Sequence, residues 1–211
     1  MRRFGGRATA ARLAAVDRYQ FPEAVADRFL YEHPELHPED VALVEAAARQ
    51  WFRLIVKEPR RRLALPSRAV GDLWLAFLHA EQAYSLFCQD AVGDFVPHRP
   101  PPSGPGEELA DAPGLMRTLE SARADEPDAP NGLPWLFRVD AKVQILNARR
   151  YIATCGGGPE CYLVAGSVCL HHLGGFERPL THRDEVRRAK QGPHPDWNEW
   201  QAKRRGGWDT P

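Results

Sequence analysis

Leu65-Pro66-Ser67-Arg68-Ala69-Val70-Gly71-Asp72-Leu73-Trp74-Leu75-Ala76-Phe77-Leu78-His79-Ala80, running on to Tyr84-Ser85-Leu86-Phe87-Cys88, is the stretch that decides the fold. Ser67 follows a proline and precedes an apolar periodic run, so its hydroxyl is placed to cap a helix N-terminus. Val70, Leu73, Trp74, Phe77, Ala80, Tyr84, Phe87 and Cys88 recur at helical spacing and make one broad apolar face. Leu75, Leu78 and Leu86 add apolar surface elsewhere on the cylinder. A helix apolar on most sides is buried on most sides, so this one is expected at the core.

Working back toward the N-terminus, the pattern stays helical. Phe21-Pro22-Glu23 opens a segment with Val25, Phe29 and Leu30 on one side, ending before Pro34. His37-Pro38-Glu39-Asp40 opens another, with proline in the first turn and two acids facing the helix dipole. Val41, Val44, Ala48, Trp51 and Ile55 then form a stripe that ends before Pro59. Working forward, 97–113 carries Pro100-Pro101-Pro102, Gly104 and Gly106 and reads as a loop. A shorter helix is expected over about 115–124, and a turn over 127–134. A short helix and then a strand are expected between Trp135 and Ile152.

The expected architecture is therefore mainly α: a helical domain over 17–175 with a small irregular Cys/His-rich segment at its C-terminal end. An extended polar tail over 176–211 follows, carrying Trp197, Trp200 and Trp208 among charges. At 211 residues, 43% apolar and 27% charged, the composition is that of one globular domain with an arm. Basic and acidic residues balance at 28 each, which removes the bulk electrostatic argument for nucleic acid. Arg60-Arg61-Arg62, Arg187-Arg188 and Lys203-Arg204-Arg205 are local basic clusters able to meet phosphates, but acids interleave them. No apolar run is long enough to span a bilayer, and the basic N-terminus lacks the apolar stretch of a signal peptide. A reducing cytoplasm is the expected setting, where cysteines stay as thiols or bind metal.

The densest chemistry lies in Cys155-Gly156-Gly157-Gly158-Pro159-Glu160-Cys161 and Cys169-Leu170-His171-His172. Three thiols and two imidazoles are a donor set that suits zinc, and the glycines allow a tight turn around an ion. The spacing differs from the paired C-x2-C of zinc knuckles. Two alternatives stay open: buried thiols packing as small hydrophobes, or a reactive cysteine with a lowered pKa. Asp72, His79, Cys88 and His98 are candidates for a second polar site. His79 lies roughly 200° around the helix from Phe77, so it sits off the main apolar stripe. Each of the four alone reads first as a solvated or hydrogen-bonded side chain, and as a site ligand only second.

The run Leu65-Pro66-Ser67, Val70-Gly71-Asp72-Leu73-Trp74, Phe77, Tyr84, Phe87-Cys88, Gly93, Phe95 and His98-Arg99-Pro100 resembles the glycine-rich domain-containing protein-like family, found in plants and bacteria. The similarity continues through Leu133-Pro134-Trp135-Leu136-Phe137 and the three cysteines, covering most of 17–173. The family pattern reads V-D-D-L-W-H and later H-H-x-P. Here Leu75 stands at the first histidine and Pro97 at one of the pair. The resemblance therefore implies a shared fold and supplies no reaction.

Two functional readings follow. In the first, the chain is a binding or adaptor protein whose Cys/His segment is held by structural zinc and whose tail contacts a protein partner or a second copy. In the second, it is a metal- or thiol-dependent enzyme with Cys155, Cys161, Cys169 and His171 around the reacting centre. No Walker loop, G-x-G-x-x-G, H-E-x-x-H or G-x-S-x-G is present to favour an enzyme class.

Overall fold

The computed structural model describes residues 3–98, 111–153 and 167–175. Six helices form most of the body: α1 (Arg3–Arg18), α2 (Glu23–Glu32), α3 (Pro38–Lys57), α4 (Arg68–His79), α6 (Ala112–Asp125) and α7 (Trp135–Val143). A short α5 (Glu81–Phe87) runs into a π-helical turn over Cys88–Val92. Strands β1 (Arg150–Ile152) and β2 (Ser167–Cys169) pair in parallel, and α8 (Leu170–Gly175) follows. The mainly α class is as the periodicity requires.

Helix α3 is the central element, packing against α1, α2, α4, α6 and α7. Pro38 occupies its first turn, and the Asp40 carboxylate accepts the His37 N–H at 2.9 Å. The stripe Val41, Val44, Ala48 and Trp51 is buried as expected, with Ile55 half-buried at the rim. Ala47, Phe52, Leu54 and Val56 are buried as well, so α3 buries two faces. Helix α1 extends the body ahead of residue 17: Val16 is fully buried, and Arg53 on α3 pairs with Asp17 of α1 and Asp125 of α6.

The long central helix expected from residue 67 to 88 is instead two helices. Ala80 breaks it, with φ −88° and ψ 60°. No glycine or proline forces the break; tertiary contacts hold it. Across it the Trp74 Nε1–H donates to the Tyr84 hydroxyl at 3.1 Å, and Phe77 meets Tyr84 edge-on at 5.1 Å. Gly93 then ends the π turn at φ +91°, its N–H donating to Cys88 O. That conformation suits glycine because no Cβ opposes it.

Two helix starts are capped by residues far away in sequence. Helix α4 begins with N–H groups that have no partner inside the helix. Ser67 Oγ accepts from Val70 N at 3.0 Å, as a local cap should. Asp140 of α7, 2% exposed, accepts from Arg68 N at 2.8 Å and Ala69 N at 3.1 Å, and takes the Ser67 hydroxyl at 2.6 Å. Burial pushes the Asp140 pKa up, against these hydrogen bonds, which pull it down. Helix α7 in turn starts after Pro134, which has no capping side chain. Glu126 accepts Trp135 N at 2.6 Å and Gln50 of α3 accepts Leu136 N at 2.8 Å. The strand-like segment before α4 is pinned to α6, where the Thr118 hydroxyl donates to Ala64 O at 2.8 Å and accepts from Ala64 N at 3.0 Å.

Removing the Asp140 acceptor leaves at least two buried N–H groups unpaired, each costing about 1–3 kcal/mol. Asp140→Ala is therefore expected to lower stability by about 3 kcal/mol, and Asp140→Asn, which keeps one acceptor oxygen, by about half as much. Urea unfolding of the three proteins checks this. An alanine variant as stable as the parent would show that the α4 start does not depend on α7.

Candidate functional site

Tyr84, Phe95 and His98 gather around Trp74. This side chain is 3% exposed and sits on α4 between α3 and the segment 95–98. Its indole N–H is held by Tyr84, whose hydroxyl donates to Val96 O. The Phe95 ring packs edge-on against Tyr84 at 5.5 Å, and the His98 ring packs edge-on against Trp74 at 4.8 Å. His98 Nε2 lies 3.2 Å from Gly71 O. The motif thus folds 95–98 back over α4, and its separated aromatic and histidine positions form one contact set.

Beside Trp74 lies a cavity of about 430 Å³ between α3 and the segment 58–65. Trp51, Trp74, Ile55, Leu65 and Val96 supply apolar wall, and Arg60, Arg61 and Arg62 line it as well. Its size falls in the range of small-molecule sites, which combine apolar walls with a few polar groups. Trp51 is 5% exposed, and its indole N–H is buried without a hydrogen-bond acceptor among the described residues. Arg61 is held by Glu58 at 2.9 Å and by Glu120. Arg60 and Arg62 are exposed, and their guanidinium groups make no ion pair among the described residues. Among the described residues the cavity is therefore largely apolar inside, with Arg60 and Arg62 unpaired at an edge that also carries Glu58 and Asp111. Arg60–Arg62 was legible as a basic cluster, and Trp51 only as a core residue; nothing local in sequence shows that they share a wall.

A second polar arrangement lies on the same helix. Asp72 Oδ2 is 3.2 Å from His33 Nε2, and Glu35 Oε1 is 3.5 Å from His33 Nδ1. Hydrogen bonding to Asp72 raises the His33 pKa, against burial, and both carboxylates reinforce the rise. His98 moves the opposite way, because burial lowers its pKa more than Gly71 O and Asp72 raise it. Of the four residues expected at a polar site, Asp72 and His98 thus come within electrostatic reach of each other. His79 is exposed at the end of α4, two helical turns from Asp72. Cys88 is buried at the start of the π turn. His33 takes the place expected of His79; as the residue after α2, it carries no sequence signal linking it to Asp72.

Of the expected metal ligands, Cys155 and Cys161 lie outside the described residues, as does the side chain of His172. Cys169 is buried at the end of β2, and His171 is exposed in the first turn of α8. Among the described residues no group of three or more His, Cys, Asp or Glu side chains is arranged to hold a metal ion. The tail over 176–211 and the centre of the proline-rich loop also lie outside the described residues. Among the described residues no helix is long and apolar enough to cross a membrane.

A histidine whose pKa is raised on folding adds stability that is complete below its unfolded value of about 6.5 and vanishes as pH rises through the folded value. The stability gap between the parent and His33→Gln is accordingly expected to be largest near pH ~5.5 and to shrink by pH ~8.5. Denaturation at a series of pH values measures it. A gap independent of pH would mean that His33 is not held as a charged partner of Asp72.

Comparison with known proteins gives a family and no activity. No curated protein and no solved structure matches the chain. The family model described as UCP032817-like matches residues 11–172, a span from α1 to α8 that takes in Asp140, both cavity tryptophans and the Trp74 contact set. The chain belongs to the UCP032817-like family.

Proposed function

We propose that this protein is a small-molecule-binding protein of the cytoplasm, with its site in the cavity over Trp51 and Trp74. The observation that carries the reading is the cavity itself: about 430 Å³, walled by two buried indoles and edged by exposed arginines. A binding role is proposed over a chemical one because, among the described lining residues, the groups able to act as base or nucleophile are the two carboxylates Glu58, already held by Arg61 and Ser121, and Asp111. Kinship with glycine-rich domain-containing proteins belongs to the same proposal, supported by Val70-Gly71-Asp72-Leu73-Trp74 and His98-Arg99-Pro100. So does a protein partner or second copy held by the tail, for which Trp197, Trp200 and Trp208 are the sequence support.

A thermal-shift screen of the full chain against a metabolite collection tests this reading. Some compounds are expected to raise the melting temperature by several degrees, as ligand well above its Kd adds about 2–3 kcal/mol. Ile55→Trp, at the half-buried rim, is expected to abolish those shifts while leaving the unliganded melting temperature close to the parent. Shifts that survive in Ile55→Trp, or none from any compound, would overturn the site.

A structural zinc ion bound by Cys155, Cys161, Cys169 and one of His171 or His172 is a second proposal. Its support is the β1–β2 register, in which Ile152 is the partner of Cys169 and Ala153 O accepts His171 N at 3.2 Å. Cys155 follows Ala153 by two residues in the chain. Elemental analysis is expected to find about one zinc per chain, as a closed four-ligand site requires, with chelation lowering the melting temperature. Metal-free protein that is indifferent to chelator would dismiss it.

A further inference from the structure

Resting on the binding reading above, we infer that the cavity ligand is a planar aromatic anion: an unsaturated ring system bearing a carboxylate or phosphate. Three features of the lining specify it. Trp51 and Trp74 stand with ring centroids 6.2 Å apart and planes at 54°, offering a wall that favours flat π systems through offset or edge contacts. Ile55, Leu65 and Val96 complete that wall with aliphatic surface, so the interior takes an unsaturated ring rather than a hydrated group.

The third feature is charge. Around the cavity Glu58 is matched by Arg61, whose other guanidinium nitrogen goes to Glu120, and Glu58 also accepts the Ser121 hydroxyl. That group sets one guanidinium against two carboxylates; on the described lining itself, three arginines face the two acids Glu58 and Asp111. Arg60 and Arg62 remain, opposed among the described lining residues by Asp111. Two guanidinium groups with no ion-pair partner among the described residues form the part of the wall suited to an anionic head, because arginine meets carboxylate and phosphate in a two-pronged geometry and also stacks on flat rings. The apolar interior suits the ring and the arginine edge suits the charge. A neutral apolar ligand would use only the interior, and a small inorganic anion only the edge.

Calorimetric titration of the full chain with two matched pairs tests the class and separates its sources. The pairs are naphthoate with naphthyl methanol, and adenosine monophosphate with adenosine. In at least one pair the anion is expected to bind about tenfold or more tighter than its neutral counterpart, a difference of about 1.4 kcal/mol. That preference is expected to weaken with salt and to disappear in the doubly substituted Arg60→Gln, Arg62→Gln protein. Both arginines are exposed, so this variant is expected to melt with the parent. The pair showing the preference identifies the source, an aromatic carboxylate or a nucleotide. Neutral members binding as tightly as the anions, an anion preference that persists without the two arginines, or no binding by either anion would each overturn the inference. Ile55→Trp keeps the two failures distinct: neutral compounds that bind and are displaced by this substitution would leave the binding reading standing and sink only the ligand class.

Discussion

One buried carboxylate holds the arrangement together. Asp140 lies on α7, yet it completes the N-terminus of α4, more than seventy residues earlier in the chain. By accepting from Arg68 N, Ala69 N and the Ser67 hydroxyl, it fixes where α4 begins and how α4 is set against α7. A negative group at that end also meets the positive end of the helix dipole. The start of α7 depends in the same way on Gln50 of α3 and Glu126. Helices α3, α7 and α4 are thus locked in series, with the starts of α7 and α4 satisfied by side chains of other elements and that of α3 by its own Asp40. Helix ends must be satisfied somewhere, and in a small body with proline-led starts the donors' partners come from across the core.

With α4 fixed, the rest of the candidate site follows from Trp74. Tyr84 can reach its indole N–H only because the helix breaks at Ala80, and Tyr84 in turn draws the Val96 carbonyl inward. The segment 58–65 is fastened on its other side by the Thr118 hydroxyl. The cavity is the space left between these two tethered segments and the Trp51 side of α3. Hydrogen bonds tie both of its walls to the helical core.

The two polar features have different physical characters. His33 is embraced by Asp72 and Glu35, so its charge is already answered within the protein and its main effect is to fasten α2 to α4. Among the described residues Arg60 and Arg62 have no such answer. A charge that is satisfied internally supports structure, whereas one left exposed beside an apolar hollow is available to a ligand.

The periodicity of apolar residues was enough to determine α2, α3, the start of α4 and the short α6, whereas the helix and strand after Trp135 lack a clean period and were expected from composition and order alone. Each of the first four depends on local spacing, capping residues and prolines that act within a few positions. Ser67 as a cap and Pro38 in a first turn were legible for the same reason. Tertiary structure alone decided the break at Ala80, the pairing of Asp140 with α4, the contact of His33 with Asp72, and the meeting of Trp51 with Arg60 and Arg62 around one cavity. These contacts join positions far apart in the chain, and their free energy comes from desolvation and packing that no local pattern encodes.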